Sequence, residues 1–270
     1  AGRMDAVTRA LVIAAHPDDV DFGAAGTVAT WAAEGTEVTY CLCTNGDAGG
    51  FDPAVPRDRI AGIRQEEQRA AAKEVGANEV IFLGYADGQL AATFELRRDL
   101  SRVIRQVRPE RVLIQSPEIS WDRLPASHPD HRAAGEASLA AVYPDARNPF
   151  THTSLLEEEG LEAWTVHDLW VMGGPTPNHW VDITDVFDKK VAALRRHVSQ
   201  TEHMEDLEGM LRGWLGGNAV VGGLPEGRLA ESFPANSDAA TTTAATASAA
   251  PPAASPRLRR TRRRPRRTSS

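Results

Sequence analysis

At 270 residues, 41% hydrophobic and 25% charged, the chain has the composition of a globular protein with room for one sizeable α/β core, and it carries a net charge of -7. From Pro234 onward eight arginines face the single acid Asp238, +7 in all, so residues 1–233 hold -14, a balance that argues against nucleic acid as the partner of the folded part. The opening Ala1-Gly2-Arg3-Met4-Asp5 is polar and no apolar run approaches the roughly 20 residues that span a bilayer, so the expectation is a soluble, cytoplasmic protein with no membrane span.

The first predicted strand, residues 10–15, ends directly in His16-Pro17-Asp18-Asp19, and a helix is predicted over 23–34. The second strand, Val38 to Cys43, carries both cysteines of the chain, Cys41 and Cys43, on one face. A C-x-C pair without further cysteines is a poor zinc motif, and both read as small buried strand residues in a reducing compartment. The glycine-rich loop Thr44 to Gly50 leaves the C-terminal edge of that strand, where open parallel sheets place ligands, although such a loop also serves as a turn. Helix 57–76 alternates a charged face with Ile60, Ile63, Ala70, Ala71 and Val75. Strand Val80 to Leu83, helix 94–108 and strand Arg111 to Gln115 follow. Then come helix 130–142, opened by His128-Pro129-Asp130-His131, strand Asp168 to Met172, and helices over 185–198 and 203–213.

Strands alternating with longer helical patterns predict an α/β protein with a mostly parallel sheet flanked by helices. From Ala239 the composition turns to Ala, Thr, Ser and Pro, then to an arginine-rich run from Pro256 to Arg267 with no apolar periodicity. The expected organisation is a catalytic domain over 1–233 and a disordered tail over 234–270.

Two His/Asp/Pro clusters, each after a predicted strand on the same sheet edge, outline a metal-dependent hydrolytic site. Hydrolytic zinc sites commonly take three protein ligands and keep one position for water. His16, Asp19 and His131 fit that count. Asp18, beside the metal without binding it, is placed to take a proton from water and return it to a leaving amine. His128 is placed to stabilise an oxyanion as an imidazolium, with Asp130 orienting it and favouring its charged form. Taken singly, Asp18, Asp19 or Asp130 reads as a helix cap and each Pro as a first-turn residue. The coincidence of the two clusters decides for metal. Of the other histidines, 152, 167, 179, 197 and 203 read as structural or exposed, with His179 and His197 nearest to a functional reading.

Ala15-His16-Pro17-Asp18-Asp19 with Phe22 to Thr27, then Arg64-Gln65-Glu66-Glu67, then His128-Pro129-Asp130-His131, resembles the PIG-L/LmbE-like zinc N-deacetylases over about residues 9–233. The later Val181-Asp182-Ile183-Thr184 and His197-Val198-Ser199-Gln200 resemble the family's C-terminal part. The resemblance implies a Rossmann-like fold and removal of an acetyl group from an N-acetylglucosamine-type sugar or glycoconjugate. It implies a metal on His16, Asp19 and His131, Asp18 as general base, and His128 with Asp130 as the electrostatic pair. It implies Arg64 and Asp87 as substrate-binding residues, and a homo-oligomer by analogy. Zn2+ is the expected ion, and Fe2+ suits the same donors. The chain departs from many members at Val20, where a Glu is usual, and from some at Ala126, where a Tyr stands. The alternative is a non-catalytic nucleotide- or sugar-binding module. Against it, the first strand is followed by HPDD rather than G-x-G-x-x-G, and every expected ligand is present.

Overall fold

The computed structural model describes residues 7–121 and 123–236. Its sheet contains β1 (Arg9–Ala14), β2 (Glu37–Thr44), β3 (Glu79–Tyr85), β4 (Arg111–Gln115), β5 (Asp168–Met172) and, at one edge, β8 (Ala235–Asn236), in the order β3-β2-β1-β4-β5-β8. All pairings are parallel except β5 with β8. The five predicted strands are therefore all present. Strands buried on both faces lose the polar half of the usual alternation and read as continuous apolar runs.

Alternate residues of β1 feed two cores. Ala10, Val12 and Ala14 pack with α1 (Asp19–Ala33), α2 (Arg57–Val75) and Ala193 of α6 (Phe187–Arg196). Leu11, Ile13 and Ala15 pack with Cys41, Cys43, α3 (Phe94–Val107) and α4 (Pro129–Ala140) on the other face. Both cysteines are buried and free. The fold class read from the sequence, a mostly parallel sheet flanked by helices, holds.

Four features depart from the expected elements. Helix α1 starts at Asp19 rather than 23, because Asp18 turns the chain straight into it through a left-handed backbone, φ 94°. A four-residue α5 (Ser154–Glu157) and α7 (Val198–Thr201) appear, and the last helix is α8 (Leu207–Val221) rather than 203–213. Its buried stripe of Leu207, Leu211, Leu215 and Ala219 runs on past Gly213, Gly216 and Gly217. It packs on Ile183, Phe187 and Leu194 in a third core. A separate antiparallel pair, β6 (His179–Asp182) with β7 (Ala230–Phe233), was not foreseen.

The boundary expected at 233 moves. Ala235 and Asn236 pair with Trp170 and Leu169, and the Val171 N–H donates to the Pro234 carbonyl at 2.9 Å, because β5 would otherwise leave an open edge. The rest of the expected tail, 237–270, lies outside the described residues.

The strand order reverses between β1 and β4, with β2 and β3 on one side and β5 on the other. Open α/β sheets bind ligands at such a switch point, outside the carboxyl ends of the strands. There the Ala15 N–H is taken by the Gln115 side chain at 2.7 Å, and the Ala15 carbonyl accepts from the Thr44 N–H and hydroxyl at 2.8 and 2.9 Å. Gly135 lets α4 lie against the end of β4, since a Cβ there would stand 2.4 Å from the Gln115 carbonyl oxygen. Both His-containing turns are thereby brought to one edge.

Candidate metal centre and active site

His16 is buried at the end of β1, and its two ring nitrogens face different groups. Nδ1 lies 3.2 Å from Asp19 Oδ2, while Nε2 lies 3.0 Å from Asp87 Oδ1 and 3.1 Å from Asp130 Oδ2. His131, one turn into α4, brings Nε2 to 3.0 Å from Asp19 Oδ1. Asp19 thus spans the two imidazoles with its two oxygens, and it also accepts the His16 backbone N–H at 2.7 Å. Burial opposes charge on His16, but Asp19, Asp130 and Asp87 override it and push its pKa up to about 12. Burial would raise Asp19, yet His131 and His16 hold it well below the carboxylate range, and Asp19 in turn raises His131 against its own desolvation.

This donor set fits a divalent cation. Two nitrogens and a carboxylate from two chain turns converge where the protein already favours positive charge. The carboxylates on His16 Nε2 supply the outer hydrogen bond that commonly fixes the tautomer of a metal-binding histidine. Ring nitrogens of His16, His128 and His131 also lie within 4.8 Å of one another, as do His16, Asp87 and Asp130 donors. In the first group His128 competes poorly with Asp19 as a ligand through Nδ1, because that atom already accepts the Asp130 backbone N–H at 3.1 Å. In the second, Asp87 and Asp130 sit on the side of His16 away from Asp19.

Asp18 makes no capping bond to α1. Its carboxylate meets Arg64 Nη2 at 3.1 Å, and its backbone N–H donates to Gln68 Oε1 at 2.9 Å. Burial pushes the Asp18 pKa up to about 6, with Arg64 opposing the rise and Asp19 adding to it. Arg64 is 4% exposed. Its two terminal nitrogens also reach the Pro17 carbonyl, the Gly46 carbonyl at 3.1 Å and Asp87 at 3.8 Å, while its buried Nε has no partner among the described residues. The glycine-rich loop has a definite task here: a Cβ at Gly49 would stand 2.0 Å from Arg64 Nη1, and one at Gly46 2.7 Å.

The expected pairing of His128 with Asp130 changes. The His128–Asp130 dyad is not formed, because the Asp130 carboxylate goes to His16 and to the backbone N–H groups of Gly88 and Leu90 at 2.7 and 3.2 Å. The His128 ring accepts rather than donates at Nδ1, and burial together with the charges of His16 and His131 lowers its pKa, so the neutral form is favoured rather than the imidazolium. Its ring centroid stays within reach, 5.0 Å from His16 and 5.2 Å from His131. Arg64 and Asp87, implied as substrate-binding residues, make contacts within the protein, Arg64 with Pro17, Asp18 and Gly46 and Asp87 with His16 and the Ala48 N–H at 3.2 Å.

A further set was missed. His197, fully buried between α6 and α7, contacts Asp21 Oδ2 through Nε2 at 2.8 Å. Gln68 Nε2 donates to the same oxygen at 2.7 Å, and Gln68 Oε1 holds Asp18. Asp21 only accepts when ionised, so it fixes which end of the Gln68 amide faces Asp18. The signal was the His197 to Gln200 segment, whose partner could not be read from it. His179 instead stacks on Trp170, ring centroids 4.4 Å apart, and does not join the site. A pocket of about 460 Å3 opens beside Asp19 and His131, walled by the loop after β4, the end of β5 and α8.

Comparison with known proteins places the chain in a family. The family model described as PIG-L, GlcNAc-PI de-N-acetylase, matches residues 11–142. The diacetylchitobiose deacetylase of Thermococcus kodakarensis is 34% identical over 194 residues, 72% of this chain and 70% of that protein. A probable N-acetyl-alpha-D-glucosaminyl L-malate deacetylase 2 of Bacillus cereus is 32% identical over 203 residues, 72% of this chain and 84% of that one. Among solved structures, the N,N'-diacetylchitobiose deacetylase of Pyrococcus horikoshii, in complex with its inhibitor MPG, superposes with a TM-score of 0.78 at 29% identity, covering 86% of this chain and 84% of that one.

Proposed function

Since the chain belongs to the PIG-L family of de-N-acetylases, we propose that it hydrolyses the acetamide of an N-acetylglucosamine-type sugar or glycoconjugate at the His16–Asp19–His131 centre, releasing acetate and a free amine. The observation that carries this reading is the Asp19 carboxylate spanning His16 and His131 at the sheet's switch point, with the Asp18 carboxylate beside it. A divalent ion on these three residues, Zn2+ by preference and Fe2+ by the same donor chemistry, supplies Lewis-acid polarisation of the amide and acidifies water.

The chain's own groups account for the proton traffic. Asp18, with a pKa near 6, is ionised at neutral pH yet basic enough to take a proton from the attacking water, and it can return that proton to the amine nitrogen as the C–N bond breaks. His128 carries its proton on Nε2, because Nδ1 accepts from Asp130, and that N–H is free to donate to the oxyanion that develops on the carbonyl oxygen. Arg64 and Gln68 hold Asp18, and Asp130 and Asp87 hold His16.

The test is metal content together with acetate release from a panel of N-acetylglucosaminides, on the intact protein, Asp18→Asn and His131→Ala. Expected are one bound metal in the intact protein, its loss in His131→Ala, and metal retained with turnover lowered by about 10²-fold or more in Asp18→Asn. Carefully loaded protein that binds no metal, or an Asp18→Asn variant that turns over at the intact rate, would refute the assignment.

A further inference from the structure

Among the described residues, two acids line the pocket beside Asp19 and His131, and both are committed. Asp19 lies between His16 and His131. Glu231 is ion-paired to Lys190 at 2.7 Å and accepts from the Gly26 and Thr27 N–H groups and the Thr27 hydroxyl. Arg123, from the loop after β4, also lines the pocket, and among the described residues no carboxylate pairs with it. Its guanidinium carbon lies 4.0 Å from the centre of the ring of Trp214, a residue of α8 that lines the same pocket.

Stacking on an indole fixes the guanidinium plane and leaves its in-plane N–H groups unspent. Arg123 is exposed to solvent at the pocket, and among the described residues only the Trp214 ring engages its guanidinium; partial desolvation there lowers its pKa. A planar fork of donors held in this way matches the two oxygens of a carboxylate or phosphate.

We propose that this pocket is an aglycone subsite in which Arg123, stacked on Trp214, receives an oxyanion carried by the part of the substrate beyond its N-acetylated sugar. The inference rests on the deacetylase reading, which sets the scissile amide at Asp18 and His131 and so directs the remainder of the substrate into the adjoining pocket. It narrows the substrate class to glycosides bearing a carboxylate or a phosphate.

Acetate release and calorimetric binding are measured on three N-acetylglucosaminides that differ only in aglycone: methyl, a hydroxy acid with a free carboxylate, and a phosphate ester. Arg123→Gln and Trp214→Leu are compared with the intact protein. The intact enzyme is expected to favour an anionic glycoside over the methyl glycoside by on the order of tenfold to a hundredfold in kcat/KM, chiefly through KM. The ratio narrows with added salt and collapses in Arg123→Gln, and the carboxylate and phosphate arms identify which oxyanion is taken. A ratio that is unchanged in Arg123→Gln and insensitive to salt, or a preference for the methyl glycoside, overturns the subsite. Arg123-dependent binding of the anionic glycosides without acetate release from any of them would leave the subsite standing and remove the deacetylase reading instead.

Discussion

Asp18 is held against its own preferences. Its backbone sits at φ 94°, a region that disfavours side chains other than those of Asn, Asp and Gly, and burial raises its pKa from 3.8 to about 6. A carboxylate with a raised folded pKa weakens the folded state as pH rises from about 4 to 6, because the unfolded chain ionises first, and the deficit persists above that range. Asp18→Asn tolerates the backbone and removes the charge. It is therefore expected to raise Tm by a few degrees while abolishing turnover, which thermal scans beside acetate assays will check. As a base Asp18 works only when ionised, so kcat/KM should fall as pH drops through about 6. Arg64 opposes that protonation, and in Arg64→Met the acid limb of the pH profile should move to higher pH. A limb that stays in place would show that Arg64 acts only on backbone geometry.

At the scale of elements, helix α1 is joined to its surroundings by a buried ion pair set among its own backbone groups. Lys190 of α6 donates to the carbonyls of Asp21 and Phe22, and Glu231 of β7 accepts from the N–H groups of Gly26 and Thr27, with Lys190 and Glu231 fully buried and 2.7 Å apart. Removing one member leaves an uncompensated charge, so Lys190→Met should cost about 3–5 kcal/mol in urea unfolding. The double variant with Glu231→Gln should recover part of that loss, and a fully additive double variant would contradict the pairing. None of this was legible in the sequence, where Lys190 reads as one charge on an amphipathic helix. The central strands and the residues that meet at the candidate centre were legible because their signals are local: an unbroken apolar run, and His and Asp within four residues of each other. Long-range partners carry no such mark. That is why Asp130 was matched with its neighbour His128 instead of with His16, which lies 114 residues away, why the short strands β6 and β7 were not foreseen, and why β8 fell in the expected tail.

For the whole molecule, three carboxylates, Asp19, Asp87 and Asp130, surround His16 with Asp18 beside them on Arg64, and a cation held at the proposed centre would relieve their mutual repulsion. Chelation should lower Tm, and added metal should restore it in proportion to the logarithm of its concentration above Kd. No described helix is long and apolar enough to cross a membrane. Because β8 closes the edge of the sheet beside β5, a chain ended at Phe233 should unfold at lower urea than one ended at Asn236, measured side by side.

The strand order has a further consequence, in time rather than in space. β1 finds one neighbour, β2, soon after it is made, but its other neighbour is β4, with Ala10 opposite Arg111. His131 follows later still. A chain emerging from the ribosome therefore carries His16 and Asp19 for about a hundred residues before His131, the third donor of the proposed centre, exists, and two donors on an unclosed edge would be a weak and unselective trap for ions. Metal capture can serve as a seal on a finished sheet rather than a seed for it, so the choice of ion falls to the mature protein and not to its synthesis.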